Sequence, residues 1–157
     1  MNIKVRAAAA SKGGSTIFVV HGHDEVRNSE VTDFLRHVTK LPVVVMERKA
    51  NLGRTVIEKF EQNAARAAYA VVLLTGDDVC GPVRQRVRRA RQNVIFELGY
   101  FMAALGRRRV TILYEDGVEL LSDLSGLLYV PLDTKGSWKP KLVKELKHAE
   151  IDLSKAV

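Results

Sequence analysis

The sequence predicts an α/β domain: a five-stranded parallel sheet with helices on both faces. Two observations carry this. Five short, continuously apolar runs, at residues 17–20, 43–46, 70–74, 110–114 and 127–130, have the make-up of strands buried on both sides. Segments of helical spacing separate them, and strands alternating with helices are joined in parallel through crossover connections. Five strands in this rhythm suit the flavodoxin-like order 2-1-3-4-5, in which ligands bind at the carboxyl ends of the strands, at the switch point. Those ends fall at residues 21–24, 47–54 and from Thr75 onward.

Residues 1–16 lack periodicity and end in Lys12-Gly13-Gly14-Ser15-Thr16, which marks a flexible leader before a domain spanning 17–153 and a tail at 154–157. The first helix places Val31, Phe34, Leu35 and Val38 on one face. After the second strand, a polar loop with Asn51, Leu52, Gly53 and Arg54 leads to Thr55 and Glu58, a capping-box pair. The helix they open buries Ile57, Phe60, Ala64 and Ala67 or Ala68. Residues 75–90, with Gly76, Gly81 and Pro82, read as a long loop, and such loops are usually functional or mobile. A helix over 91–105 follows, then the fourth strand, an irregular stretch at 115–126 and the fifth strand. Ser137 caps a last helix whose Leu142, Val143 and Leu146 face inward.

Composition narrows the class. A chain of 157 residues has room for one ordinary domain. Hydrophobic residues at 46% and charged residues at 27% are those of a globular protein rather than a disordered one. No apolar run approaches the ~20 residues of a membrane-spanning helix, and the N-terminus has no secretory signal pattern. The single Cys80 rules out an internal disulfide and a multi-cysteine metal site, and fits a reducing, cytoplasmic setting. The net charge of +7 is concentrated: Arg84, Arg86, Arg88, Arg89, Arg91, Arg107, Arg108 and Arg109 share residues 84–109 with one acid, Glu97. That concentration leaves a nucleic-acid reading open, although arginines 84–91 lack the interleaved aromatics of a single-strand platform.

The helix at 91–105 is the most informative. Val94, Ile95, Leu98, Phe101, Met102 and Leu105 form a core stripe, while Phe96, Tyr100 and Ala103 occupy the face where charge is normally found. Glu97 is the only charge from Val94 to Leu105, beside Asn93 one turn earlier. It reads either as a boundary residue paired with Arg91 or Arg107, or as a carboxylate in a partly dry cleft. A dry carboxylate suits glycosidic cleavage, whose transition state resembles an oxocarbenium ion. His21-Gly22-His23-Asp24 reads as a capped turn or as a phosphate-binding helix start; with no third ligand nearby, a metal site is not assigned. The spacing around Gly53 and Arg54 is not that of a Walker or Rossmann loop.

The segments IFVVHGHDE at 17–25, NLGRTVIEKFE at 51–61, AVVLLTGDD at 70–78, RQNVIFELGYF at 91–101 and LYVPLD at 128–133 together resemble one family. It is the TIR-like domain of bacterial predicted nucleotide-binding proteins, found in anti-phage effectors, including those fused to STING or other cyclic-nucleotide sensors. The resemblance implies a flavodoxin-like TIR fold and an NAD-cleaving hydrolase that takes NAD as substrate and needs no resident cofactor. It implies Glu97 as the catalytic glutamate, and His21, Gly22, His23, Asp24, Leu52, Gly53 and Arg54 as walls of the nucleotide cleft. Asn93 stands where other TIR enzymes often carry an aromatic residue. A homo-oligomeric active form and a cyclic-nucleotide sensor as partner or neighbouring domain are also implied. The rival readings are a non-enzymatic TIR scaffold, a basic nucleic-acid-binding module, and a nucleoside deoxyribosyl transferase using the same carboxylate.

Overall fold

In the structure, a computed structural model, residues 14–46, 56–122 and 126–154 are described. The chain runs β1 (Thr16–Val20), α1 (Glu25–Val38), β2 (Val43–Val45), α2 (Val56–Ala65), β3 (Ala67–Leu74), β4 (Asp78–Cys80), β5 (Val87–Arg89), α3 (Gln92–Leu105), β6 (Val110–Tyr114), β7 (Tyr129–Pro131) and α4 (Trp138–His148). Five strands form one parallel sheet in the order β2-β1-β3-β6-β7. Counted within that sheet alone, this is the expected order 2-1-3-4-5.

The alternation of side chains along each strand divides the core in two. Ile17, Val19, Tyr69, Val71, Leu73 and Leu113 point to one face, where Val31 and Leu35 of α1 and Trp138, Leu142 and Leu146 of α4 cover them. Phe18, Val20, Ala70, Val72, Leu74 and Ile112 point to the other, under Phe60 and Ala64 of α2 and Val94, Leu98, Phe101 and Leu105 of α3. Both faces are therefore dry, and β3 is buried along its whole length. Each fully buried side chain of this size contributes about 1.5–3 kcal/mol, which is why the strands carry no polar face.

Several expectations are corrected. Residues 75–90 are not one loop: β4 and β5 pair antiparallel as a small hairpin around a single 3-10 turn at Val83–Gln85. β3 starts at Ala67, so Ala67 and Ala68 belong to the sheet and not to the preceding helix. The last strand lies two residues later at its start than expected, at Tyr129–Pro131. β2 is an edge strand with Val44 39% exposed, not a strand buried on both sides. Thr16 opens β1 and the Ser15 N–H donates to the Arg66 carbonyl at 3.0 Å, so sheet structure begins one residue inside the expected leader. At the other end Ser154 is tied to α1, its N–H donating to the Val38 carbonyl and its hydroxyl to that of His37. Ser137 makes no side-chain cap; its hydroxyl and N–H both donate to Asp133, which also accepts from Lys135 N–H at 2.7 Å. The Ser137 hydroxyl above all holds the Asp133 carboxyl down to about 2. The capping residue Thr55, the Ile57 side chain, residues 1–13 of the leader and 155–157 of the tail lie outside the described residues.

Candidate active site

The carboxyl ends of β1, β3 and β6 meet at one edge of the sheet. β1 runs into His21-Gly22-His23-Asp24, and the turn becomes α1 because Asp24 caps it: its Oδ1 accepts the Arg27 N–H at 3.0 Å. That hydrogen bond uses one of the free N–H groups that could otherwise face an anion. β3 ends in Thr75-Gly76-Asp77. Asp77 Oδ2 accepts the His23 N–H and the Thr75 hydroxyl, each at 3.1 Å, which joins the ends of β1 and β3. β6 is followed by Glu115, whose Oε2 accepts the Gly76 N–H at 3.0 Å and the Arg88 Nη2–H at 2.8 Å. Partial burial raises the Glu115 carboxyl, but the Gly76 N–H and the Arg88 guanidinium outweigh it and hold it below the usual carboxylate range.

The hairpin is pinned to the same edge. Arg89 pairs with Glu119 through Nε and, at 3.2 Å, through Nη2, and the Glu119 N–H donates to the Arg88 carbonyl at 2.8 Å. Arg91, the residue before α3, lays its guanidinium against the His23 ring, with Nη1 2.9 Å from Nδ1 and in contact with Nε2. Arg109 donates to the Ala68 carbonyl at 3.0 Å. Half of the arginines of 84–109 are thus engaged within the fold, which dilutes the basic segment as a nucleic-acid surface.

Glu97 lies five residues into α3, about 7.5 Å along its axis from Gln92 at the helix start. It is 7% exposed, among the few buried charged or polar side chains of the domain. The helix is held by Val94, Leu98 and Phe101, all fully buried on β1, β3 and β6. Arg107 lies past the C-terminal end of α3, in the 3-10 turn Arg107–Arg109. Asn93 is exposed one turn before Glu97. Tyr100 is not an outward residue: it packs edge-on against Phe60 of α2 at 4.7 Å, while Phe96 is 59% exposed.

Of the expected site residues, His21, Gly22, His23 and Asp24 form one turn at the sheet edge, and Glu97 and Asn93 share the helix that starts beside it. Leu52, Gly53 and Arg54 lie outside the described residues. Asp77 and Glu115 were not singled out in the sequence, and Arg91 was read as a partner of Glu97 rather than of His23. The available signal was position: Asp77 and Glu115 are the first acids after their strands at the ligand edge, and Arg91 is the last residue before the helix of Glu97. Among the described residues no group of three histidine, cysteine, aspartate or glutamate side chains is arranged to hold a metal ion.

Two clefts differ in what they offer. One of about 510 Å³ lies between α1 and α4, lined by Phe34, Lys139, Pro140, Val143, Lys144 and Lys147, away from the strand-end turns. The other, about 270 Å³, lies between the hairpin and α3, lined by Asp78, Cys80, Arg89, Ala90, Gln92 and Ile95. The smaller one is bordered by Asp78, which directly follows the Thr75-Gly76-Asp77 turn at the strand ends.

A family profile for the TIR domain of CAP12/Pycsar effector proteins matches residues 16–134. The Escherichia coli K12 protein YuaY is 41% identical over 141 residues, covering 88% of this chain and 47% of YuaY. Pycsar effector protein BcPycTIR of Burkholderia cepacia is 32% identical over 100 residues, 59% of this chain and 33% of that protein. CD-NTase-associated protein 12 of Sphingobacterium faecium is 26% identical over 76 residues, 48% of this chain and 24% of that protein. The chain spans less than half the length of each of these three relatives.

Proposed function

The chain belongs to the TIR-domain family of CAP12 and Pycsar effector proteins, anti-phage effectors, and on that premise we propose that it is an NAD nucleosidase. The observation that supports this most is Glu97, a carboxylate 7% exposed on a helix with no other charge from Val94 to Leu105.

The bond to break joins C1′ of ribose to the pyridinium nitrogen of NAD. Its electron pair leaves with nicotinamide, which becomes neutral, so no acid is needed to expel it. Positive charge passes to the ribose as an oxocarbenium ion. Water adds at C1′, a proton is released, and the products are nicotinamide and ADP-ribose. The task of the protein is to stabilise the cationic ribose and to orient it. A fixed negative charge in a site largely closed to water does this far better than the same charge in solution. In this reading Glu97 faces the ribose and helps position the water or accept its proton. The turn His21-Gly22-His23-Asp24, with Arg91 beside it, forms one wall, where a guanidinium and backbone N–H groups suit a pyrophosphate. Leu52, Gly53 and Arg54 are further proposed substrate-binding residues, as is Asn93, one turn before Glu97.

Activity is proposed to need self-association. Phe96 is 59% exposed immediately before Glu97 in sequence, and Val79 and Val83 on the hairpin are 58% and 79% exposed. Apolar residues in this position suit contact with a second copy. A cyclic-nucleotide sensor, as partner or as a further domain, is the proposed trigger that brings copies together.

The test is incubation of the purified chain with NAD over a range of protein concentrations, with nicotinamide and ADP-ribose separated by chromatography. Equal amounts of the two, linear or cyclised in the ADP-ribose, are expected, with turnover per molecule rising with protein concentration. An oligomeric preparation that leaves NAD intact would instead favour a non-enzymatic scaffold.

A further inference from the structure

We infer that Asp77 is a positioning residue that holds the turn at 21–24 in the shape the substrate cleft requires. The inference rests on the nucleosidase reading for its kinetic consequence, but not for its geometry.

The turn is fixed at its far end by the Asp24 cap on Arg27 N–H and by the Asn28 N–H donating to the Asp24 carbonyl at 3.0 Å. Between strand and cap, Asp77 reaches across from β3 and takes the His23 N–H. The same oxygen, Oδ2, accepts the Thr75 hydroxyl, and the Asp77 N–H donates to the Thr75 carbonyl at 2.9 Å, so the carboxylate is itself held in place. Gly22 is shaped around it: a Cβ there would lie 1.5 Å from Asp77 Oδ2 and 3.2 Å from Thr75 Oγ1. The carboxylate occupies the space a side chain at position 22 would need. On its other side the Thr75-Gly76-Asp77 turn is anchored to β6 through the Gly76–Glu115 hydrogen bond. Gly76 is matched to a neighbour in the same way, since a Cβ there would lie 2.4 Å from Arg88 Nε. Asp77 is thus a link, beside the Arg91–His23 contact, through which β6 and the hairpin register the turn that leads into α1.

What this role needs is an acceptor oxygen at one place, not a charge. Asparagine supplies one and alanine does not. The test compares Asp77→Ala, Asp77→Asn and Gly22→Ala in the full chain, reading amide hydrogen exchange at His23 and the kinetics of NAD cleavage. Asp77→Ala and Gly22→Ala are expected to speed His23 exchange about tenfold and to raise KM for NAD by a similar factor, with kcat changed less. Asp77→Asn stays within about threefold of wild type in both. Gly22→Ala added to Asp77→Ala costs little more, because the oxygen the new methyl would strike is gone. Unchanged His23 exchange in Asp77→Ala would overturn the inference. So would an Asp77→Asn protein as impaired as Asp77→Ala, since that result assigns the charge a direct role on substrate. If no variant, wild type included, cleaves NAD, the exchange pattern still decides the positioning role and the nucleosidase reading alone falls.

Discussion

Burial raises the Tyr69 phenol from its ordinary value of 10 to about 12, against the opposing hydrogen bond with Thr111, 2.6 Å away. The sign follows from which state holds the proton. Between pH 10 and 12 the unfolded chain releases it and the folded protein keeps it, so the unfolded state binds fewer protons and stability falls as pH rises. Below pH 10 the group contributes no pH dependence. The loss amounts to about 3 kcal/mol across that window. Tyr69→Phe should cost about 1 kcal/mol at neutral pH, through the orphaned Thr111 hydroxyl, and should flatten the alkaline limb. Urea unfolding at pH 8, 10 and 11.5 checks it; parallel alkaline limbs for the two proteins would contradict it. Nothing in the sequence marked this pair, because Tyr69 and Thr111 are 42 residues apart and meet only through the register of β3 and β6. Glu97, by contrast, stood out in the sequence as the only charge from Val94 to Leu105, read there either as a paired boundary residue or as a carboxylate in a partly dry cleft; the structure leaves it 7% exposed.

At the scale of elements, α2 and α3 are joined by rings. Phe60 lies 4.7 Å from Tyr100, 5.3 Å from Phe101 and 6.2 Å from Phe96, measured between centroids. Periodicity identified Phe60 as buried but not what covered it, so Tyr100 was read as facing outward when α2 shields it. Phe60→Ala should cost about 3–5 kcal/mol and lower the melting temperature by about 10 °C. Since α3 carries Glu97, the same variant should also lower NAD turnover in the protein that remains folded, measured well below its midpoint. A loss of stability under 1 kcal/mol would mean the two helices are coupled by other contacts. The β4–β5 hairpin was the element hardest to see. Its strands are three residues each, the second carrying two arginines, and it is held by Arg88–Glu115 and Arg89–Glu119 pairs that span 27 and 30 residues. A period-two signal needs more residues than that to emerge.

For the whole molecule, the layering was legible because continuously apolar runs alternate with segments of helical spacing, and the order 2-1-3-4-5 suited that rhythm without being dictated by it. The site was legible as an edge of the sheet rather than as a set of contacts. His21, Gly22, His23 and Asp24 follow from where β1 stops, whereas the Asp77 link needs the actual approach of β3 to that turn. Self-association is the property that belongs to this scale. Phe96→Glu, at a position 59% exposed, should leave the monomer folded and remove the rise of specific activity with concentration. Sedimentation alongside the assay checks this, and a monomer with full activity would rule out the need for a second copy.

The most direct measurement is nicotinamide release from NAD by wild type and Glu97→Gln at matched, high protein concentration, with folding of both verified by circular dichroism. The substitution keeps the shape of the side chain and removes the charge that opposes the cationic ribose. Wild type should release nicotinamide and the variant should be slower by at least about 100-fold. A folded Glu97→Gln protein that cleaves NAD near the wild-type rate would contradict the assignment of Glu97 as the catalytic carboxylate.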